Sequence, residues 1–210
     1  MATFTTVVRP DNTRERLLQA AIAVLETRGE AAIRVDELAR SANVSKPSVY
    51  HFFGSREGLV VAALAEMYRR SLAYDRELLL EAARSAADRQ EFIRTFRAAI
   101  ASFSDDDGVQ RRAFRTEVLG AAVSRPGLQQ AVVEMHREQT SFLTQFFTVG
   151  AERGFVSLPY DMHTTALWAI AVMLGRHVAE IDPAVDLAAW DRLTSDTFVR
   201  LLFGEGAGET

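Results

Sequence analysis

The chain has 210 residues, 48% of them hydrophobic and 25% charged, which suits one large or two small globular domains with a real core. It contains no cysteine, so disulfides, cysteine nucleophiles and thiolate metal sites are excluded. The formal net charge of −4 is unevenly placed: residues 1–58 hold eight Arg/Lys against seven Asp/Glu, and the excess acid belongs to the remainder. A nucleic-acid-binding module needs only a local basic surface, so the overall acidity does not exclude one. The longest apolar run, Ala166 to Gly175, is too short to span a bilayer, and the first twenty residues lack a signal-peptide pattern. A cytoplasmic location without membrane contact is expected.

Five prolines, little β-branched alternation and apolar residues spaced by three and four predict an all-α chain of about nine helices. The first helix runs from about Asp11 to Arg28 and is closed by Gly29. The second covers about Val35 to Ala42 and the third, a short one, about Lys46 to Phe52. Ser55 then caps a long fourth helix reaching Ser85. Further helices are expected at 88–104, 108–123, 126–153, 161–180 and 186–203, separated by turn signals such as Arg125-Pro126-Gly127 and Asp182-Pro183. The tail GEGAGET has no apolar anchor, and residues 205–210 are expected to be disordered. The organisation is thus 1–54, three short helices, and 55–204, a larger Phe- and Ala-rich helical body.

The stretch NVSKPSVYHFFGSREG at 43–58 places a short aromatic helix between two helix-start signals. Leu38 and Ala39 on the second helix and Val49 and Phe52 on the third read as inward-facing. Asn43 tolerates the left-handed backbone that a tight turn requires, and Val44 plugs that turn into the core. Ser45 is placed to cap the third helix, with Pro47 in its first turn where a missing N–H costs nothing. These are the parts of a helix-turn-helix, whose second helix lies in the DNA major groove. Lys46, the only lysine in the chain, and Ser48, Tyr50 and His51 are left outward for phosphates and base edges.

The first helix ending in Gly29, followed by ARSANVSKPSVYHFFGSREGL and a long helix, resembles the TetR family of transcriptional regulators over roughly residues 12–60. The resemblance implies a homodimeric repressor that binds a palindromic operator in double-stranded DNA and is released by a small ligand held in the C-terminal body. It also implies a phosphate contact for Tyr50 and a base or backbone contact for His51. Lys46 and Ser48 would open the recognition helix, and Arg56 would begin helix four against the DNA backbone. Four positions depart from the family pattern. Asn43 and Pro47 stand where Gly is usual, and Glu30 stands where an aromatic is frequent. Arg34 replaces a Thr that caps helix two; a phosphate contact can survive there, but the cap is lost.

In the C-terminal body, Phe92, Phe96 and Phe103 share one helix face, and Phe142 and Phe146 another. Such stripes are ordinarily core. The resemblance suggests a cavity lined by Phe92, Phe96, Phe114, Met135, Phe142 and Trp168, with His136 or His163 as polar handles. Its effector would be apolar or aromatic. The last two helices carry apolar residues over more than one face, among them Leu167, Ile170, Leu174 and Val178, then Trp190, Leu193, Thr197 and Leu201. Pairing with a second copy would make a four-helix dimer interface. No catalytic motif or metal-ligand spacing appears, so neither an enzyme nor a cofactor is expected. The competing reading is a helical ligand-binding or interaction protein that does not bind DNA.

Overall fold

The computed structural model describes residues 13–102 and 106–204. The expected start of the first helix at Asp11, Phe103 and the tail 205–210 lie outside them. The described residues contain nine α-helices and no strand: α1 Thr13–Arg28, α2 Val35–Ser41, α3 Lys46–Phe53, α4 Arg56–Ser85, α5 Arg89–Ser102, α6 Asp106–Ala122, α7 Pro126–Glu152, α8 Met162–Glu180 and α9 Leu187–Phe203. A single 3-10 turn, Glu30–Ala32, which periodicity did not announce, lies between α1 and α2. No described helix is long and apolar enough to cross a membrane.

Two compact units divide between Met67 and Tyr68, inside α4 rather than before it at residue 54. The reason is local. Leu59, Val60 and Ala63 on the first turns of α4 are fully buried, and Arg56 donates to the Ile33 carbonyl at 3.1 Å and the Glu30 carbonyl at 2.8 Å. The start of α4 is therefore core and strut of the first unit. Around it α1, α2 and α3 pack on one another, burying Leu17, Leu18, Ile22, Leu38 and Val49. Each such side chain contributes about 1.5–3 kcal/mol by leaving water.

The second unit is built on α7 and α8, which pack against each other and against α6, while α9 packs on α5 and α8. Asp161 caps α8 by accepting from the Thr164 N–H, and Asp186 caps α9 by accepting from the Ala189 N–H. The core is aromatic: Phe92 stacks on Phe146 with ring centroids 5.3 Å apart, and Phe96 meets Phe198 and Phe203 edge-on. Gly150 on α7 lets Val156 approach so closely that a Cβ there would lie 2.6 Å from its Cγ2. Ordinary packing therefore accounts for most of the phenylalanine stripe.

Candidate nucleic-acid interface and ligand cavity

Residues 35–53 form two packed helices joined by a four-residue turn, Ala42 to Ser45, one residue longer than expected because α2 ends at Ser41. Asn43 adopts φ 53°, the left-handed region that a Cβ-bearing residue seldom enters. The Val44 N–H reaches back to the Ala39 carbonyl at 2.9 Å, closing α2, and the Val44 side chain is half-buried. Val49 is fully buried and fastens α3 to the unit, while Phe52 is half-buried. Gly54, at φ 72°, ends α3, and the Ser55 hydroxyl accepts from the Gly58 N–H to start α4 at once. The helix is short because it is stopped at both ends.

Ser45 occupies the N-cap position in extended conformation, but its side chain does not cap. Its carbonyl accepts from the Ser48 N–H, while its hydroxyl meets the Ser48 hydroxyl at 2.8 Å. Pro47 lies in the first turn as expected. Arg34 likewise offers no side-chain cap to α2; its carbonyl alone takes the N–H groups of Glu37 and Leu38.

Arg34, Ser45, Lys46, Pro47, Tyr50 and His51 are exposed and Ser48 half-buried. Tyr50 is 44% exposed, so it is not core packing. Lys46 pairs with Asp36 at 2.9 Å in open solvent. That hydrogen bond, and then the Asp36 charge, hold the ammonium above its usual proton affinity. Water screens so exposed a pair and leaves it weakly held, so a phosphate can replace Asp36. Arg56 differs from the others: its guanidinium is turned onto the 3-10 turn and is held there by two carbonyls. Its visible role is to position α4.

The second unit holds a partly open cavity of about 90 Å³. Leu72, Phe96, Ile100, Leu143, Phe147 and Phe198 form its apolar wall, and Arg112, Arg115, Gln139, His136 and Tyr68 its polar wall. The Tyr68 hydroxyl and His136 Nε2 are hydrogen-bonded. Burial pushes the Tyr68 phenol up to about 12 against the opposing charge of Arg115. Burial, reinforced by Arg115, lowers the proton affinity of His136, so both groups are neutral near pH 7. Arg115 donates to the Ser71 carbonyl at 2.6 Å and to the Ser71 hydroxyl at 3.2 Å. Arg112 donates to Glu180, which also accepts from Arg176, and Arg176 grips Asp191 with two N–H groups at 2.7 and 2.9 Å.

A family model, "Bacterial regulatory proteins, tetR family", matches residues 17–63, the segment that forms this helix-turn-helix. The transcriptional regulator BetI of Rhizobium meliloti is 37% identical over 54 residues, 26% of this chain and 27% of its own length. UidR of Escherichia coli K12 is 24% identical over 176 residues, 84% of each chain. The crystal structure of a TetR transcription regulator from Haloarcula marismortui superposes with a TM-score of 0.65 over 91% of this chain and 98% of that one, at 13% identity, which speaks to fold. Residues 17–63 thus carry the DNA-binding segment of the tetR family of bacterial regulatory proteins. The match to BetI spans about a quarter of that relative's length.

Against the TetR-family resemblance, the expected cavity lining is largely rearranged. Phe96 and His136 line the cavity. Phe92 and Met135 are buried elsewhere, Phe114 and Phe142 are half-buried off the cavity, and His163 and Trp168 are exposed. The expected interface residues also divide. Leu167, Val178, Leu193 and Thr197 are exposed and Trp190 and Leu201 half-buried, whereas Ile170 and Leu174 line the cavity. Sequence reasoning missed Tyr68, Arg112, Arg115 and Gln139. The one signal available was the spacing of Arg112 and Arg115, three apart and so on one side of a helix.

Proposed function

We propose that this protein is a TetR-family regulator that represses transcription by binding a palindromic operator as a homodimer, through α3, and is released by a ligand held in its second unit. The observation that carries the DNA-binding part is the division of α3. Val49 is sealed into the unit while Lys46, Tyr50 and His51, on the same two turns, face solvent. A short rod with a polar outer face fits a groove about 12 Å wide. Ligand binding alone gives no reason for such a face.

One recognition helix reads few base pairs, and a twofold pair with half-sites about 34 Å apart doubles the site. Supporting a pair, α8 and α9 leave Leu167 at 50%, Val178 at 72% and Leu193 at 67% exposed in the single chain. Supporting ligand release, Tyr68 and Leu72 of α4 line the cavity, and α4 begins at Arg56 beside the helix-turn-helix. A ligand that repacks those two side chains acts on the same helix. It changes DNA affinity by its differential affinity for the two states, typically about 1–3 kcal/mol. Gel shift and footprinting on the DNA upstream of its own coding sequence test this reading. A protected palindrome is expected, with protection falling steeply between about 50 and 200 mM salt. No protection of any neighbouring intergenic DNA at moderate salt would overturn it.

A further inference from the structure

The cavity's polar wall states what it is built to hold. Arg112 is 3% exposed, and while its Nε and Nη2 serve Glu180, its Nη1 is buried with no partner. Gln139, also in the lining, has a buried Oε1 that is likewise unanswered. A buried guanidinium N–H left without an acceptor is costly, and an anion turns it into a charge-assisted hydrogen bond. Arg115 adds a second positive charge to the same wall, close enough to disfavour ionisation of His136 and to favour that of Tyr68. No Asp or Glu is among the described lining residues, so a cationic ligand would find no carboxylate there and two guanidinium groups against it.

Resting on the reading of this cavity as the effector site, we propose that it takes a small monocarboxylic acid in its ionised form. The carboxylate meets Arg112 Nη1, and an apolar body lies against Phe96, Leu143 and Phe147. A volume of about 90 Å³ is room for on the order of six to nine waters at about 10–15 Å³ each, well below the roughly 300–1,000 Å³ of drug-sized sites. The body is therefore a single ring or a short chain. A hydroxyl on that body would answer Gln139 Oε1. Because Arg112 also holds Glu180 on α8, the ligand's charge competes directly with a buried ion pair of the helix bearing Leu167 and Val178.

Calorimetric titration of the full chain near pH 7 with benzoate, phenylacetate and hexanoate, each beside its neutral amide, tests this. The acids should bind at least tenfold more tightly than their amides, and Arg112→Leu should abolish that preference. If Arg112→Leu does not fold, the acid-to-amide ratio in the unaltered protein decides alone. Amides binding as well as acids, or a folded Arg112→Leu that keeps the preference, would overturn the proposal while leaving an effector cavity intact. Failure of every acid and every amide to bind would remove the cavity reading too. Operator binding, measured separately, reports on the first unit independently.

Discussion

In the first unit the Lys46–Asp36 pair lies in water, its side chains 51% and 65% exposed. In the second, Arg112, Arg176 and Glu180 are each about 6% exposed or less at the side chain. The difference separates two uses of charge. An exposed pair holds its ammonium loosely, so a phosphate can take it over at little cost. A buried cluster has surrendered its hydration, so every donor and acceptor must be answered inside the protein or by something that enters. The first unit is arranged for exchange with a polyanion at its surface. The second is arranged to hold a few charges rigidly, with one guanidinium edge left over.

The sharpest way to break this contrast is to remove the carboxylate from each pair. Glu180→Ala leaves Arg112 and Arg176 facing each other in the interior and should cost about 3–5 kcal/mol, read as a fall in the urea midpoint. Asp36→Ala should change stability by no more than about 0.5 kcal/mol. Equal costs would show that burial does not distinguish the two units' charges.

The surface side of the contrast is sharpened by three substitutions read on operator DNA. Tyr50→Ala should weaken binding to all sequences alike, as loss of a backbone contact does. His51→Ala should alter preference at one base position by about 1–3 kcal/mol, seen by footprinting mutated operators. Lys46→Ala should lower the slope of log K against log salt by about 1. A Lys46→Ala protein with an unchanged slope would mean that Lys46 remains with Asp36 in the complex.

Asn43 tests the geometry that presents this surface. At φ 53° its backbone costs a Cβ-bearing residue roughly 1–2 kcal/mol, which Asn offsets better than most. Asn43→Ala should therefore lower both stability and operator affinity, while Asn43→Gly should restore or exceed the original stability in a thermal melt.

Why the first unit was legible and the second only partly so follows from the same residues. The helix-turn-helix is written within a few turns of chain: Asn43 for the left-handed turn, Pro47 in a first turn, Gly54 and Ser55 as stop and start. Each is a local backbone requirement that a linear sequence displays. Even there, the assignment of Arg56 to DNA did not anticipate Glu30 and Ile33, whose carbonyls lie more than twenty residues back. The cavity has no local grammar. Its lining comes from six helices between Tyr68 and Phe198, and Ile170 and Leu174 look the same in sequence as Leu167, which faces out. Helical spacing says which residues share a face, but not whether that face meets a neighbour, solvent or a hole.

The smallest expected effect isolates the neutral end of the cavity. Burial and the nearby Arg115 hold His136 below its ordinary value of 6.5. Its ring therefore takes up protons more readily in the unfolded chain than in the folded one. The sign follows: its contribution to stability is complete above pH 6.5 and is lost as pH falls from there toward the lowered folded value. Carboxylates titrating at lower pH add their own slope, so the useful quantity is the difference between the protein and His136→Gln. That difference should be flat well above pH 6.5 and should shrink as pH falls below it, as only the parent loses stability from this ring. The groups facing the ring include Tyr68 and Arg115, and neither supplies an anion that would stabilise the imidazolium. A difference that grows toward acid would mean that the protonated ring is stabilised by a carboxylate after all, and the cavity wall would then suit a cation rather than an acid.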